Sequence, residues 1–234
     1  LYARHERFCW LGGCRCADAL RPVEAIRRHR CFEKVSARNA ALRQIYAEPL
    51  RQWYPTAKRT GLHGEDKKYL SNYGQAYGEW AEPESVHHMT WKDCAVPHPE
   101  VATAYTAHVM DCMAEMEAAL GNPKEAESYR NFAAGCRKSY QALRRTAAYP
   151  LDTDRQAQLV RPLAFKLLDV RQTAYAQKRL LAALVHAGWR VGTGFLSTPL
   201  IMDVLTEIDL ESAYRLLENE KIPGWLSMPK NGAT

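Results

Sequence analysis

The chain has 234 residues, 47% of them hydrophobic and 25% charged, a composition that fits a folded globular protein and excludes intrinsic disorder as a starting point. Lys and Arg outnumber Asp and Glu by 32 to 26, a formal charge of +6. Spread over the whole fold, such an excess would point to nucleic acid or an anionic membrane, so its distribution decides the matter.

Residues 1–45 hold nine Arg and Lys34 against Glu6, Asp18, Glu24 and Glu33, so this stretch carries the whole excess and the rest is formally neutral. We therefore expect no nucleic-acid partner and no membrane partner. The same stretch contains Cys9, Cys14, Cys16 and Cys31, at spacings that do not match the paired C-x₂₋₄-C of zinc sites. With Cys94, Cys112 and Cys136 the count is seven, an odd number that argues for free thiols rather than a disulfide framework. We expect no metal and no cofactor. There is neither a signal-peptide pattern nor an apolar run of membrane-spanning length, which sets the expectation of a cytoplasmic protein. Leu1 in place of an initiator Met sets the further expectation of a fragment or a processed piece.

Residues 37–53 have helical composition, and residues 61–99 are loop-rich and dense in aromatics: Tyr69, Tyr73, Tyr77, Trp80 and Trp91. From Pro97 onward consecutive helices are expected. Val101, Ala104, Tyr105, His108, Val109, Cys112, Met113, Met116 and Leu120 recur at the helical period after Pro99 and Glu100, and Gly121 ends the run. Asn122 is placed to cap, and Pro123 to start, a second helix with the face Ala126, Tyr129, Ala133, Cys136, Tyr140 and Leu143. So short a link makes the pair an antiparallel hairpin. Asp152, Thr153 and Asp154 are read as caps of a third helix reaching Leu168, with Pro162 kinking it or shifting its start. A fourth is expected from about Arg171 to Ala187, stopped by Gly188. Short helices follow near 198–208 and 210–219, then a turn at Pro223-Gly224. No segment alternates as a strand does, so the fold class is all-α, built from antiparallel hairpins.

Three loop clusters stand apart from the helical stripes. In Gly78-Glu79-Trp80-Ala81-Glu82-Pro83 two carboxylates flank an indole. Aromatic faces stack on the C–H faces of sugars, and carboxylates bind hydroxyls or move protons, so the combination suits a carbohydrate site. The plainer reading is a packed Trp beside a solvated Glu. Gly192-Thr193-Gly194-Phe195 could bring backbone N–H groups to a ligand, although it lacks the further glycine and lysine of a phosphate loop. Trp225 after Pro223-Gly224 forms the third cluster. The histidines show no metal-ligand spacing, and no nucleophile elbow or Walker loop is present.

Taken in order, the runs Gly78–Pro83, Val101–Tyr105, Asp152–Gln156 with Leu163-Ala164-Phe165, Thr193–Pro199, Pro223-Gly224-Trp225 and Gly232-Ala233-Thr234 resemble the six-hairpin catalytic domain of bacterial α-L-rhamnosidases. The resemblance covers about residues 45–234. It implies part of an (α/α)₆ toroid at 46–234, preceded by a basic, Cys-rich segment at 1–45 that is either a displaced reading frame or a genuine basic arm. It also implies hydrolysis of terminal α-L-rhamnosyl bonds with inversion, by a general acid and a general base held apart to admit a water. Carried over by position, Glu79, Trp80, Thr193, Gly194, Phe195 and Trp225 become candidate substrate-binding residues, with a rhamnose-containing glycoside as partner. The family's acid lies in an Asp-Glu-Arg-type motif upstream of the matched region, and its base in a Trp-Glu pair beyond Gly-Ala-Thr. No catalytic residue is therefore assigned within this chain, and little or no turnover is expected from it alone. The competing reading is a helical-repeat protein-binding module, since residues 101–140 resemble a tetratricopeptide hairpin around Ala119-Leu120-Gly121-Asn122-Pro123. Such arrays need at least three repeats and one copy is visible.

Overall fold

A computed structural model describes residues 69–70, 78–94 and 96–233, with the side chains of Trp91 and Cys94 left aside. Residues 1–45, the expected helix at 37–53, and Tyr73 and Tyr77 lie outside the described residues. The described secondary structure is helical: α1 (Trp91–Cys94), α2 (Pro99–Ala119), α3 (Pro123–Leu143), α4 (Gln156–Ala164), α5 (Val170–His186), α6 (Thr198–Ile208), α7 (Leu210–Leu217) and α8 (Ser227–Lys230). No strand occurs among the described residues, as the missing alternation led us to expect. No helix among them is long and apolar enough to cross a membrane.

The chain divides into two compact units, one of residues 1–67 and 105–136 and one of 68–104 and 137–234. In the first, Tyr129 of α3 packs on Met113 and Ala114 of α2. The corner is built as expected, with Gly121 at φ +80°. The Gly121 and Asn122 N–H groups return to the carbonyls of Ala118 and Glu117 at 3.2 and 2.9 Å, which closes the last turn of α2. Asn122 does not cap α3 with its side chain; its amide nitrogen donates to Glu117 Oε2 at 2.8 Å. Cys136 of α3 is fully buried.

The second unit holds a core in which α4 packs on α5 and α6, and α6 on α7. Leu159 and Val160 of α4, Leu180 and Leu184 of α5, Ile201 and Leu205 of α6, and Leu216 of α7 are all fully buried there. Burying each side chain of this size contributes about 1.5–3 kcal/mol, so the stripes read from the sequence are the main source of cohesion. α5 begins at a capping box in which Asp169 accepts from Gln172 N and the Gln172 side chain accepts from Asp169 N. It ends at Gly188, φ +63°, with the Gly188 and Trp189 N–H groups bonded to Val185 and Leu184.

The third helix differs from expectation at both ends. Arg155, rather than the Asp152 to Asp154 run, occupies the N-cap of α4 and makes no side-chain cap bond. Asp152 and Asp154 instead receive Arg179 at 2.9 and 2.7 Å, and Asp154 also bonds His186. These carboxylates are used in tertiary ion pairs rather than in a local cap. At the other end α4 stops at Ala164, short of Leu168. Pro162 has no N–H, which strips Gln158 of its helical partner. That carbonyl is taken by Arg144 Nη2 at 3.2 Å, which also holds Pro150 O at 3.0 Å. The chain then leaves the helix through Lys166 at φ +52°, with Lys166 and Leu167 bonded back to Leu163 and Pro162. Arg137 Nε and Gln141 Nε2 of α3 hold the carbonyls of Lys166 and Leu167 at 3.2 and 3.0 Å. The stop is thus a left-handed terminator without a glycine, which is why the sequence did not announce it.

Two exposed helix stops make opposite predictions. Lys166→Gly should stabilise the chain by about 1 kcal/mol by relieving a left-handed non-glycine residue. Gly188→Ala should cost about 1 kcal/mol, because a Cβ there meets no neighbour within 4 Å and only the backbone conformation is penalised. Denaturation midpoints in urea measure both. A second check is acid titration of Asp169 and Asp209, which cap α5 and α7. Bonds from Gln172 N to Asp169 and from the Ser212 hydroxyl to Asp209 hold both carboxyls below the usual aspartate value. Their contribution is therefore complete above that value and lost as pH falls through the lowered one. Asp169→Asn should lower Tm at neutral pH and narrow the gap to the parent chain in strong acid.

Candidate functional site

The three loop clusters singled out in the sequence converge within the second unit. Phe195 N donates to Trp80 O at 2.6 Å, joining the second cluster to the first, and Val191 N donates to Pro223 O at 3.0 Å, joining the second to the third. Gly194 is required by this approach: a Cβ there would lie 2.3 Å from Trp80 O and 3.0 Å from Glu82 N. Gly192 meets the Gln156 amide in the same way, at 2.9 Å. Gly194 is explained by the approach of two loop backbones, and Gly192 by the approach of the Gln156 side chain of α4.

The candidate residues fall into two groups by exposure. Trp80 and Phe195 present their rings outward, at 40% and 62% exposure. Trp225 is half-buried against the α4–α7 core. Thr193 is buried, with its hydroxyl 2.8 Å from that of Thr198, which in turn donates to Gly194 O at 2.7 Å. Glu79 is buried as well, and both of its oxygens are taken. Ser197 N donates to Oε1 at 2.9 Å, Ser197 Oγ donates to Oε2 at 2.8 Å, and Arg161 Nη2 donates to Oε2. The carboxylate thereby sits at the N-terminal end of α6, where the helix dipole favours negative charge.

Arg161 is the centre of this arrangement and is fully buried on α4. Its second amino group donates to Glu100 Oε2 of α2 at 2.5 Å, and Glu100 also accepts from the Tyr140 hydroxyl of α3. Burial works to lower the Arg161 pKa, but Glu100 and Glu79 overturn it and the guanidinium is held more firmly charged than usual. Burial, and then the Glu100 charge, push the Tyr140 hydroxyl well above its ordinary value, so it remains a donor. A second clamp lies at the start of α4, where Arg155 donates through Nε and Nη2 to the two oxygens of Glu82. The adjacent Gln156 accepts from Gly192 N at 2.7 Å and donates to Arg190 O at 2.9 Å. One helix thus fixes the first loop through two arginines and the second through a glutamine.

Chemically, the site offers an indole and a phenyl ring on rigid supports, with the nearby buried carboxylates neutralised by arginines. No group of His, Cys, Asp and Glu that could hold a metal ion occurs among the described residues. Sequence reasoning gave no site role to Arg155, Gln156, Arg161 or Ser197, although all but Arg161 lie in runs that carry the family resemblance. A signal existed for one of them: Arg161 interrupts the apolar run Leu159-Val160-Arg161-Pro162-Leu163, and a charge in a core stripe requires a buried partner.

Arg161→Met should destabilise the chain by about 3–5 kcal/mol, since it leaves two buried carboxylates without their counter-charge. Gly194→Ala should cost about 1–3 kcal/mol through the clash with the Trp80 carbonyl. Chemical denaturation reads both, and a neutral outcome for either would contradict the geometry above.

Comparison with known proteins follows the same line. Residues 37–234 match the model of the bacterial alpha-L-rhamnosidase 6 hairpin glycosidase domain. An α-L-rhamnosidase of Streptomyces avermitilis is 30% identical over 184 residues, 78% of this chain and 16% of that protein. One from Formosa agariphila is 28% identical over 189 residues, 79% of this chain and 20% of that protein. Among solved structures, the Streptomyces avermitilis enzyme complexed with L-rhamnose superposes with a TM-score of 0.58 at 30% identity, over 71% of this chain and 16% of that one. The chain therefore spans a fifth or less of the length of these two relatives. With its described hairpins, its loop clusters and a family match over residues 37–234, the chain belongs to the bacterial α-L-rhamnosidase six-hairpin glycosidase family.

Proposed function

We propose that residues 46–234 supply a sugar-facing part of a glycoside hydrolase domain that cleaves terminal α-L-rhamnosyl bonds with inversion, and that residues 1–45 are a separate basic segment. The observation that carries this reading is the convergence of Trp80 and Phe195, both exposed, on loops joined by the Phe195 N to Trp80 O bond. Rings held in this way suit the C–H face of an uncharged deoxy sugar, whose hydroxyls need hydrogen bonds rather than a counter-ion. We assign Thr193, Gly194 and Trp225 to the same sugar-facing side, and Glu79, bonded to Ser197, to holding the loop that carries Phe195. The relative complexed with L-rhamnose supports the choice of sugar.

Turnover by this chain alone should be very slow or absent. A general acid needs a carboxyl free to give up a proton at the scissile oxygen, and a general base needs one open to water. The buried carboxylates Glu79, Glu82 and Glu100 are instead committed to Arg161, Arg155 and Tyr140. Calorimetric titration with L-rhamnose tests the binding part. Trp80→Ala and Phe195→Ala should each weaken it about tenfold, while Tyr175→Ala, exposed on α5, should leave it unchanged. An aryl α-L-rhamnoside assay of a longer form, extended upstream and past Thr234, tests the catalytic part. Absence of hydrolysis by that form, or a product of retained configuration by NMR, would overturn it.

A further inference from the structure

Glu79 and Glu82 bracket Trp80, and α4 answers each with an arginine. The inner clamp is sealed, since the Arg161 and Glu79 side chains are 0% and 2% exposed. The outer one is asymmetric: the Glu82 side chain is fully buried, whereas Arg155 is 29% exposed and can turn to water. Between them Ala81 is held at φ +59°, a conformation that a side-chain-bearing residue keeps only when its surroundings enforce it. The Trp80 carbonyl is fixed by Phe195 N, so the turn is tied at its start, its middle and its end while the indole points outward. Of the two charged ties, only the Glu82 one has a partner that water can reach, so it can be released when protonation removes the buried charge.

We propose that Glu82 and Arg155 are positioning residues, an ion-pair latch that sets how Trp80 projects toward the sugar and that loosens when Glu82 takes up a proton. The proposal rests on the reading of Trp80 as a sugar-facing ring. The groups facing Glu82 are Arg155 at the N-cap of α4, and Glu79 and His87 on its own segment. Burial pushes the Glu82 carboxyl above its ordinary value, against the bond and charge of Arg155; Glu79 adds to the rise and His87 opposes it. Because the folded value is the higher one, the native chain takes up this proton first as pH falls. Global stability does not drop with that event. What disappears is the negative charge that orients Arg155, and with it the tie at the end of the turn.

The test is Trp80-specific fluorescence, taken as the difference between the parent chain and Trp80→Phe, with acrylamide as quencher and L-rhamnose as ligand. In the parent chain quenching of Trp80 should start at the level of a part-exposed indole at neutral pH and rise further in mild acid. Glu82→Gln and Arg155→Met should show the raised quenching at every pH, bind rhamnose about fivefold more weakly at neutral pH, and keep the parent far-UV spectrum. Arg155→Lys should restore part of the neutral-pH protection. Parent-like quenching and pH profiles in both Glu82→Gln and Arg155→Met would overturn the latch. If quenching follows the prediction but rhamnose neither binds nor shields Trp80, the latch stands and the sugar reading fails. If rhamnose binds the parent and both variants alike, with Trp80 quenching unaltered, the sugar reading stands and the latch fails.

Discussion

The loops of this domain depend on one buried cation. Arg161 sits in the apolar stripe of α4 with no access to water, a position that would cost several kcal/mol if its charge were unmatched. It is matched twice, by Glu79, 82 residues earlier in the chain, and by Glu100, 61 residues earlier. Such a network adds little net stability over a well-packed apolar core, since Coulomb attraction largely repays desolvation. Its effect is on geometry. Any arrangement that moves the Glu79 loop or the first turn of α2 away from α4 strands a charge, so the network selects one position for each. Ser197 extends that selection to the loop before α6, because its N–H and hydroxyl satisfy the rest of the Glu79 carboxylate.

This constraint shapes the chemistry open to the site. A motif with two carboxylates around an indole looks equipped to move protons, yet both carboxylates point inward to arginines. What faces outward is aromatic and close to neutral, which suits a sugar better than an ion. Precise placement of the rings then matters more than their number, because a stacking surface displaced by an ångström loses much of its contact with a small ligand. The glycines at 192 and 194 belong to the same economy of space: Gly194 lets two loop backbones touch, and Gly192 leaves room for the Gln156 side chain of α4.

The legible parts of this structure are those governed by local rules. Gly121, Pro123 and Gly188 mark helix ends because left-handed backbone and a missing N–H have few alternatives, and the stripes of α2, α3 and α5 follow from the helical period. The loop clusters were also visible as breaks in that period. What lay hidden was their wiring. Asp152 and Asp154 had the form of caps, but the partners they meet are Arg179 and His186, which lie 25 and 32 residues beyond Asp154. The end of α4 at Lys166 gave no glycine signal, because Arg137 and Gln141 of α3 hold the turn from outside. Glu79 and Glu82 read as sugar-binding or proton-moving groups because their partners on α4 are over seventy residues away. Periodicity reports which residues are buried; it does not report which charges meet.

The most direct measurement of the central claim, that Arg161 and Glu79 lock the loops around Trp80 and Phe195, is native-state amide hydrogen exchange at Phe195 and Ser197. Both amides lie in loop segments, so without the network they would open locally at little cost. The network requires them to exchange no faster than the amides of Leu180 and Leu184 in the buried face of α5. Exchange of Ser197 at the rate of an exposed loop amide, with α5 still protected, would contradict it.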